Sequence, residues 1–586
     1  MDQAIPVGPS CEVANIDVSP TGVGNLLTKL LREQQQLDLE LPDGVELTAV
    51  EKFSRVHDTQ LLRESRYRQL LPATPPQAGQ QYAFEVDLDR CSGCKACVTA
   101  CHSLNGLDEK ETWRDVGLLI GGTSALPIMQ HATAACHHCL QPACLSACPV
   151  NAYEKDPVTG IVKHLDDQCF GCQYCTLACP YEVPKYHPGK GIVRKCDMCS
   201  TRLAVGEAPA CVQACPHQAI SIKTVDVRQI IEDAEAANFL PAAPDPHITL
   251  PTTTYKTKKP FPRNLLPVDY FQVDRQHTHW PLVVMLVLTQ LSVGAFIVGA
   301  ILDVLLDSRL ASALRPLLAA NALAFGLLAI SSSVLHLGRP FYAFRAVLGL
   351  RHSWLSREIV AFGMFAGLAS AYAATVFFAS REGDGGDVTS SICLWLKWSV
   401  AAVGAAAVLC SIMIYVFTQR ECWSFTRVAL RFVLTSGLLG MAVVWLTILA
   451  LTLARPSAEM SELVYRHGTL LCSSLILLSS AKLLWEASIF RHLFSWRMTS
   501  LKRSALLMTG ELSNFVIARF AAGILGGLVM PAFLLMSFAS KHESDNLPKF
   551  VVVTGLLFVA CLVGELLERV LFFSACAAPK MPGSIR

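Results

Sequence analysis

Two patterns of apolar and polar residues meet near residue 279. Beyond it, apolar runs of twenty or more positions recur without a charge, at Pro281–Leu302, Pro316–Leu335, Ile359–Ser380, Ser399–Thr418, Phe432–Ala454 and Phe520–Ser540. A helix of that length crosses a hydrocarbon core of roughly 30 Å. Two further runs, Gly468–Phe490 and Phe550–Phe573, are long enough but carry charges near their C-terminal ends. The pattern predicts eight spans, which puts both ends of this half on one side. Buried helices of a soluble protein are the alternative, and eight in succession argue against them.

Before residue 279 the chain is polar and broken every few positions by Gly, Pro and Cys, with short strand-like pieces at Tyr82–Val86 and Ile220–Thr224. The reading divides the chain into an N-terminal extension (1–80), a cysteine-rich domain (81–240), a Pro- and Lys-containing linker (241–279), a membrane half (280–576) and a C-terminal tail (577–586). Within the extension, Asn25–Leu39 has a leucine-rich helical pattern, read as a short packing helix or an arm that docks on a partner.

Composition sharpens this picture. Hydrophobic residues make up 52% and charged residues 16%, and the mean hydropathy is +0.40, too apolar for an ordinary soluble protein. A formal net charge of +2 supplies no field that argues for nucleic acid as a partner. Of 23 cysteines, sixteen lie between Cys91 and Cys215, six follow residue 390, and Cys11 stands alone. The first ten residues lack the basic start and apolar core of a signal peptide. That favours metal over disulfides for the dense group, while the six later cysteines read as small apolar packing residues.

The sixteen form four groups: Cys91, Cys94, Cys97, Cys101; Cys136, Cys139, Cys144, Cys148; Cys169, Cys172, Cys175, Cys179; and Cys196, Cys199, Cys211, Cys215. Groups one and three are C-x2-C-x2-C-x3-C, and Cys148, Cys179 and Cys215 each precede Pro. This is the run that wraps three corners of a [4Fe–4S] cubane and sends its fourth thiolate to another cluster. Zinc also takes C-x2-C pairs, but two pairs across a spacer are its usual form. The fold expected is an α+β ferredoxin-like domain, two bis-[4Fe–4S] modules, joined to an all-α eight-helix bundle. Spacing does not settle which group completes which cluster. If last ligands are exchanged between groups two and three and between one and four, the sets are Cys136/Cys139/Cys144/Cys179, Cys148/Cys169/Cys172/Cys175, Cys91/Cys94/Cys97/Cys215 and Cys101/Cys196/Cys199/Cys211.

At "CHHCLQPACLSACP", "CFGCQYCTLACPY" and "KCDMCSTRLAVGEAPACVQACPHQAI" the chain resembles the four-cluster ferredoxin subunit of the dimethyl sulfoxide reductase family of molybdenum enzymes. Nitrate reductase relatives carry Trp at the second position of group three; here it is Cys172, so the resemblance implies four complete cubanes. The second half resembles the membrane anchor subunit of the same family, most sharply in "HLGRPFYAFRAVLGLRHSWLSRE", His336 to Glu358, between spans two and three. The resemblance implies that His336 and Glu358 bind and oxidise menaquinol. A His and a carboxylate near the membrane surface suit removal of two protons. Without the resemblance, the first is an interfacial cap and the second a first-turn carboxylate on a helix dipole.

Lys482, Glu486, Glu565, Glu568 and Arg569 fall on the same side as that loop and read as a site or a paired network. No histidines face each other within spans, so no haem is expected. Lys and Arg on the cluster side outnumber those opposite by more than two to one, which places the cysteine-rich domain in the cytoplasm of a bacterial inner membrane. The function expected is electron transfer and anchoring: quinol is oxidised in the lipid bilayer and electrons pass to a separate molybdopterin-containing catalytic subunit. An ion-translocating or quinone-reducing module, and a redox sensor, are the rivals.

Overall fold

The structure is a computed structural model and describes residues 70–583 apart from 110, 383–386 and 540–546. The expected helix at Asn25–Leu39 and Cys11 lie outside the described residues.

The cysteine-rich domain opens on β1 (Gln80–Asp87) and α1 (Ala96–Leu104), followed by the hairpin β2 (Asp115–Gly122) and β3 (Pro127–Ala134). Next come α2 (Ala143–Ala147), the hairpin β4 (Tyr153–Lys155) and β5 (Val162–His164), and α3 (Tyr174–Ala178). A third hairpin, β6 (Lys185–His187) and β7 (Ile192–Arg194), leads to α4 (Ser200–Ala204), α5 (Ala210–Gln213), β8 (Ile220–Asp226) and α6 (Val227–Glu235). The two strand-like pieces of the sequence pair antiparallel, Tyr82 opposite Thr224 and Val86 opposite Ile220. Their inward side chains Phe84, Val86, Ile220 and Ile222 are buried, each stabilising the fold by roughly 1.5–3 kcal/mol. The pairing brings the two ends of the domain together, and the first cysteine group with the last.

The segment 241–279, expected as a linker, is folded onto this domain. Its β9 (Thr254–Lys256) pairs with β1, and its β10 (Leu266–Pro267) pairs with β2. The tail returns as well: Gly583 accepts from the amide of Leu118 at 3.2 Å, and Lys580 pairs with Asp269 at 2.8 Å.

The second half is helical: α7 (Trp280–Leu305), α8 (Ser308–Val334), α9 (Trp354–Glu382), α10 (Asp387–Val416), α11 (Phe425–Ala454) and α12 (Ala458–Ala487). A short α13 (Ser500–Thr509) precedes α14 (Ser513–Ile524), which passes through one π turn into α15 (Met530–Ala539), and α16 (Leu547–Ser574) closes the bundle. Among the described residues, eight helical stretches are long and apolar enough to cross a membrane, and they coincide with the eight predicted runs. The first, α7, is the most buried of the eight. It meets α11 so closely that a Cβ on Gly294 would lie 1.9 Å from the carbonyl oxygen of Ser436, so only glycine permits this crossing.

Candidate functional site

Each cysteine run is shaped by residues in the left-handed backbone region, where L side chains are strained. Gly93, Lys95, Gly171, Gln173, His138, Met198 and Cys199 all have φ between 42° and 76°. A second set recurs three residues after a Cys-Pro: Asn151, Glu182 and Gln218, with φ of 52–54°. The turn they make aims the next amide back at the cysteine. Ala152 and Ala219 donate to the sulfurs of Cys148 and Cys215, each at 3.2 Å.

The sixteen thiols fall into four neighbourhoods. Cys91 faces Cys94, Cys97 and Cys215; Cys101 faces Cys199 and Cys211, and Cys196 faces both Cys101 and Cys211. Cys136 and Cys179 surround Cys139 and Cys144. Cys148 and Cys169 surround Cys172 and Cys175. Burial pushes Cys101 up to about 12 and Cys148 and Cys179 up to about 11, so these thiols stay neutral unless a bound cation offsets their ionisation. Among the described residues no three His, Cys, Asp or Glu side chains converge where a single ion would sit. Thiols grouped in fours fit the ligand set of a cubane.

Two buried cations stand among the sulfurs. Lys195 donates to Cys136 Sγ at 3.6 Å and to the Cys196 carbonyl at 2.8 Å, and it lies near Cys144. Arg114 lies among Cys97, Cys101, Cys196 and Cys211, bonded to Thr133 at 3.1 Å, with Nε and Nη2 left without partners. A fully buried arginine is costly unless negative charge faces it, and a cluster held by the surrounding thiolates would supply that charge.

The Cys148/Cys169/Cys172/Cys175 neighbourhood is seated on the membrane half, on the loop from His336 to Glu358. Ser353 and Ser356 donate to the carbonyls of Ala147 and Pro149, and His352 Nε2 lies 3.0 Å from the carbonyl of Cys148 itself. Arg339 and Arg345 reach the carbonyls of Asp166 and Asp167, each at 3.0 Å. A Cβ on Gly338 would lie 2.1 Å from the Gly191 carbonyl oxygen, so backbone rests on backbone here. The loop resembling the anchor family is therefore largely a cradle for the cysteine-rich domain.

His336 and Glu358 sit differently. His336 lines a cleft of about 920 Å³ between the two halves, together with Cys172, Gln173, His277, His279 and Arg420. Its Nδ1 is buried without a hydrogen-bond partner, and burial holds the imidazole below its ordinary range. His279 is pushed down to about 4 by burial and by the neighbouring His277 and His336. Arg420 donates to the Leu177 carbonyl at 3.0 Å and leaves Nη1 free of partners. Glu358 does not line this cleft. It is buried in the first turns of α9, accepts from Ser411, and lies near Tyr174 and Tyr415.

The ionisable residues near the ends of spans six and eight form one buried cluster. Lys482 pairs with Glu565 at 2.7 Å, and Arg519 bridges Glu486 and Glu565 at 2.9 and 3.0 Å. The i,i+4 pair Lys482–Glu486 is longer, at 3.7 Å. The apolar pattern puts Arg519 just outside span seven and Arg431 just outside span five; both are drawn in. Cys422 and Cys576, expected as simple packing residues, are instead paired as a disulfide across the cluster-side ends of α11 and α16. Chain folding brings residues 154 positions apart into contact, which local pattern does not show.

Sequence reasoning missed His277, His279 and Arg420. The spacing His277-x-His279 immediately before an apolar run was the available signal.

Comparison with known proteins bears on both halves. Residues 128–225 match the 4Fe-4S dicluster domain family, and residues 274–575 match the DMSO reductase anchor subunit (DmsC) family. The first half is similar to the B subunit of anaerobic dimethyl sulfoxide reductase from Escherichia coli (strain K12), 36% identical over 185 residues, 30% of this protein and 88% of that one. It is also similar to the thiosulfate reductase electron transfer subunit PhsB of Salmonella typhi, 38% identical over 153 residues, 26% of this protein and 79% of the other. The Hydrogenase-2 operon protein HybA of Escherichia coli O157:H7 is 34% identical over 212 residues, 32% of this protein and 62% of its own length.

Proposed function

Because the protein belongs to the DMSO reductase anchor subunit family and carries, ahead of the anchor, an electron-transfer domain like the B subunit of that reductase, we propose that it oxidises menaquinol and delivers the electrons through four [4Fe–4S] clusters to a separate molybdopterin-containing catalytic subunit in anaerobic respiration. The observation that carries this reading is the seat of one cysteine quartet on the anchor, beside the cleft that His336 lines.

The clusters, when bound, supply one-electron steps between two-electron reactions. The protein's own residues order them. Tyr153 lies between Cys175 and Cys144, Cys196 lies near Cys136, and Cys211 near Cys97. The route therefore runs from the quartet on the anchor, through Cys136/Cys139/Cys144/Cys179 and then Cys101/Cys196/Cys199/Cys211, to Cys91/Cys94/Cys97/Cys215. Cys94 is exposed, and that end is where the catalytic partner docks. Lys195 sits between the second and third quartets, where its charge would favour the reduced form of clusters held there. Replacing it with Met removes one charge at short range, about 3 kcal/mol at an effective dielectric near 20. An EPR redox titration of K195M is expected to show two midpoints lowered by on the order of 100 mV.

His336 accepts one quinol proton at its imidazole from the cleft, and Glu358, which lies off the cleft beside Ser411 and Tyr174, accepts the other at its carboxylate. Arg420 offers its free N–H to a quinol oxygen. Only neutral His336 can accept. Its depressed pKa means protonation, and with it loss of the acceptor, sets in below the ordinary histidine value of about 6.5 as pH falls. The acid limb of quinol-driven cluster reduction is accordingly expected below pH 6.5, and a stopped-flow pH profile reads it.

The test of the whole reading is anaerobic purification. About sixteen irons per protein and rapid bleaching of the cluster absorbance by a menaquinol analogue are expected. Bound zinc with no EPR signal after dithionite refutes it. The excess of Lys and Arg on the cluster side supports a cytoplasmic domain. Protease accessibility of the domain in intact spheroplasts tests this orientation.

A further inference from the structure

Glu358 is sealed on its cluster side. The serines just before it, Ser353 ahead of α9 and Ser356 on its first turn, are bonded to the domain above, and the Tyr174 hydroxyl closes on the Ile414 carbonyl at 2.8 Å. A proton placed on this carboxylate has no direct way to the water of the cleft, which Glu358 does not line. It does have a neighbour in the other direction. Tyr415 is buried within electrostatic reach of both Glu358 and Arg569.

Arg569 lies over the rings of Phe432 and Phe572, 4.2 and 5.3 Å from their centroids. It donates to Gln290 at 2.9 Å and pairs with Glu568 at 3.5 Å, leaving Nε and Nη1 without partners. Neither oxygen of Glu568 has a hydrogen bond, although Arg431 approaches to 3.6 Å and Lys482 and Arg519 are also within electrostatic reach. Glu568 in turn lines a cavity of about 30 Å³ with Arg431, Glu486, Arg519 and Ser504. That volume holds one or two waters, and the site has the polar partners they need. A purely structural ion cluster leaves few buried polar atoms unpaired. This one leaves both oxygens of Glu568 and Nε of Arg431 open on a water-sized space.

We propose that these groups form a proton exit route from Glu358, by way of Tyr415 and water held between Arg569 and Glu568, to the cavity and the cluster-side surface. The route rests on the quinol reading above. Both quinol O–H bonds break, and the two electrons leave to the iron–sulfur clusters. One proton goes through His336 to the cleft, and the other goes through Glu358 to this route. Gln290, Arg431 and Glu568 all lie within ten residues of helix ends on the cluster side, about 15 Å at most. Both protons therefore emerge on one side, and no charge crosses the membrane.

The test uses the full-length protein with its clusters, reduced by a menaquinol analogue in stopped flow. Glu568→Gln is expected to slow cluster reduction by about tenfold to a hundredfold and to enlarge the solvent deuterium isotope effect. Iron content and dithionite reduction are expected to match wild type, and Glu568→Asp to recover most of the rate. If Glu568→Gln does not assemble, Tyr415→Phe is read in the same way. A wild-type rate and isotope effect in the assembled variant overturns the route alone. Wild-type protein that quinol fails to reduce overturns the quinol reading, and the route with it.

Discussion

Replacing His336 with Asn abolishes quinol-driven reduction of the clusters, by at least about a hundredfold, while leaving iron content unchanged. The magnitude is that of a positioned proton acceptor. Asn fills a similar space and keeps a polar edge toward the cleft, but it cannot take a proton at neutral pH. His336 lines the cleft with its Nδ1 unpartnered, so no hydrogen bond that holds the cysteine-rich domain in place is lost. Gly338, Arg339, Arg345 and His352 do that work from the same loop. Stopped-flow reduction by a menaquinol analogue, set beside reduction by dithionite, separates the two roles. A variant reduced by quinol at the wild-type rate removes His336 from the chemistry.

Cys175→Ser breaks the route at its entry. Iron falls from about sixteen to about twelve per protein, and quinol no longer reduces any cluster, while dithionite still reduces the three that remain. The reason is position. The quartet containing Cys175 is the one seated on the anchor, and Tyr153 separates it from the next. Cys94→Ser at the exposed end is the control. It also loses one cluster, but quinol should reduce the other three, and only delivery to the catalytic partner should fail. Because metal binding is also folding energy at such sites, both variants are compared on protein that retains its remaining iron. Equal behaviour of the two would refute the order of the clusters.

Much of the site was legible residue by residue. The Cys-Pro steps at Cys148, Cys179 and Cys215 are plain in the sequence as part of a ferredoxin run, and the structure follows them with turns at Asn151, Glu182 and Gln218. The strand-like pieces Tyr82–Val86 and Ile220–Thr224 pair with each other, something their alternation allowed without specifying a partner. The roles of the segment 241–279 and of Arg519 and Arg431 were not legible. Pro-rich sequence looks the same whether it is free or laid along a sheet edge, and a charge at the end of an apolar run looks the same whether it snorkels or turns inward.

What the sequence determined alone is what depends on near neighbours: eight spans long enough for a bilayer, and four thiol groups spaced for cubanes, because helix rise and turn geometry act over a few residues. What only the tertiary structure decided is which distant groups share a space. Cys91 meets Cys215 because β1 and β8 pair, His336 opens on a cleft while Glu358 is sealed from it, and seven charges from four helices meet in one interior. A buried charge is tolerated only where its partners arrive from elsewhere in the sequence, and that arrival is settled by packing.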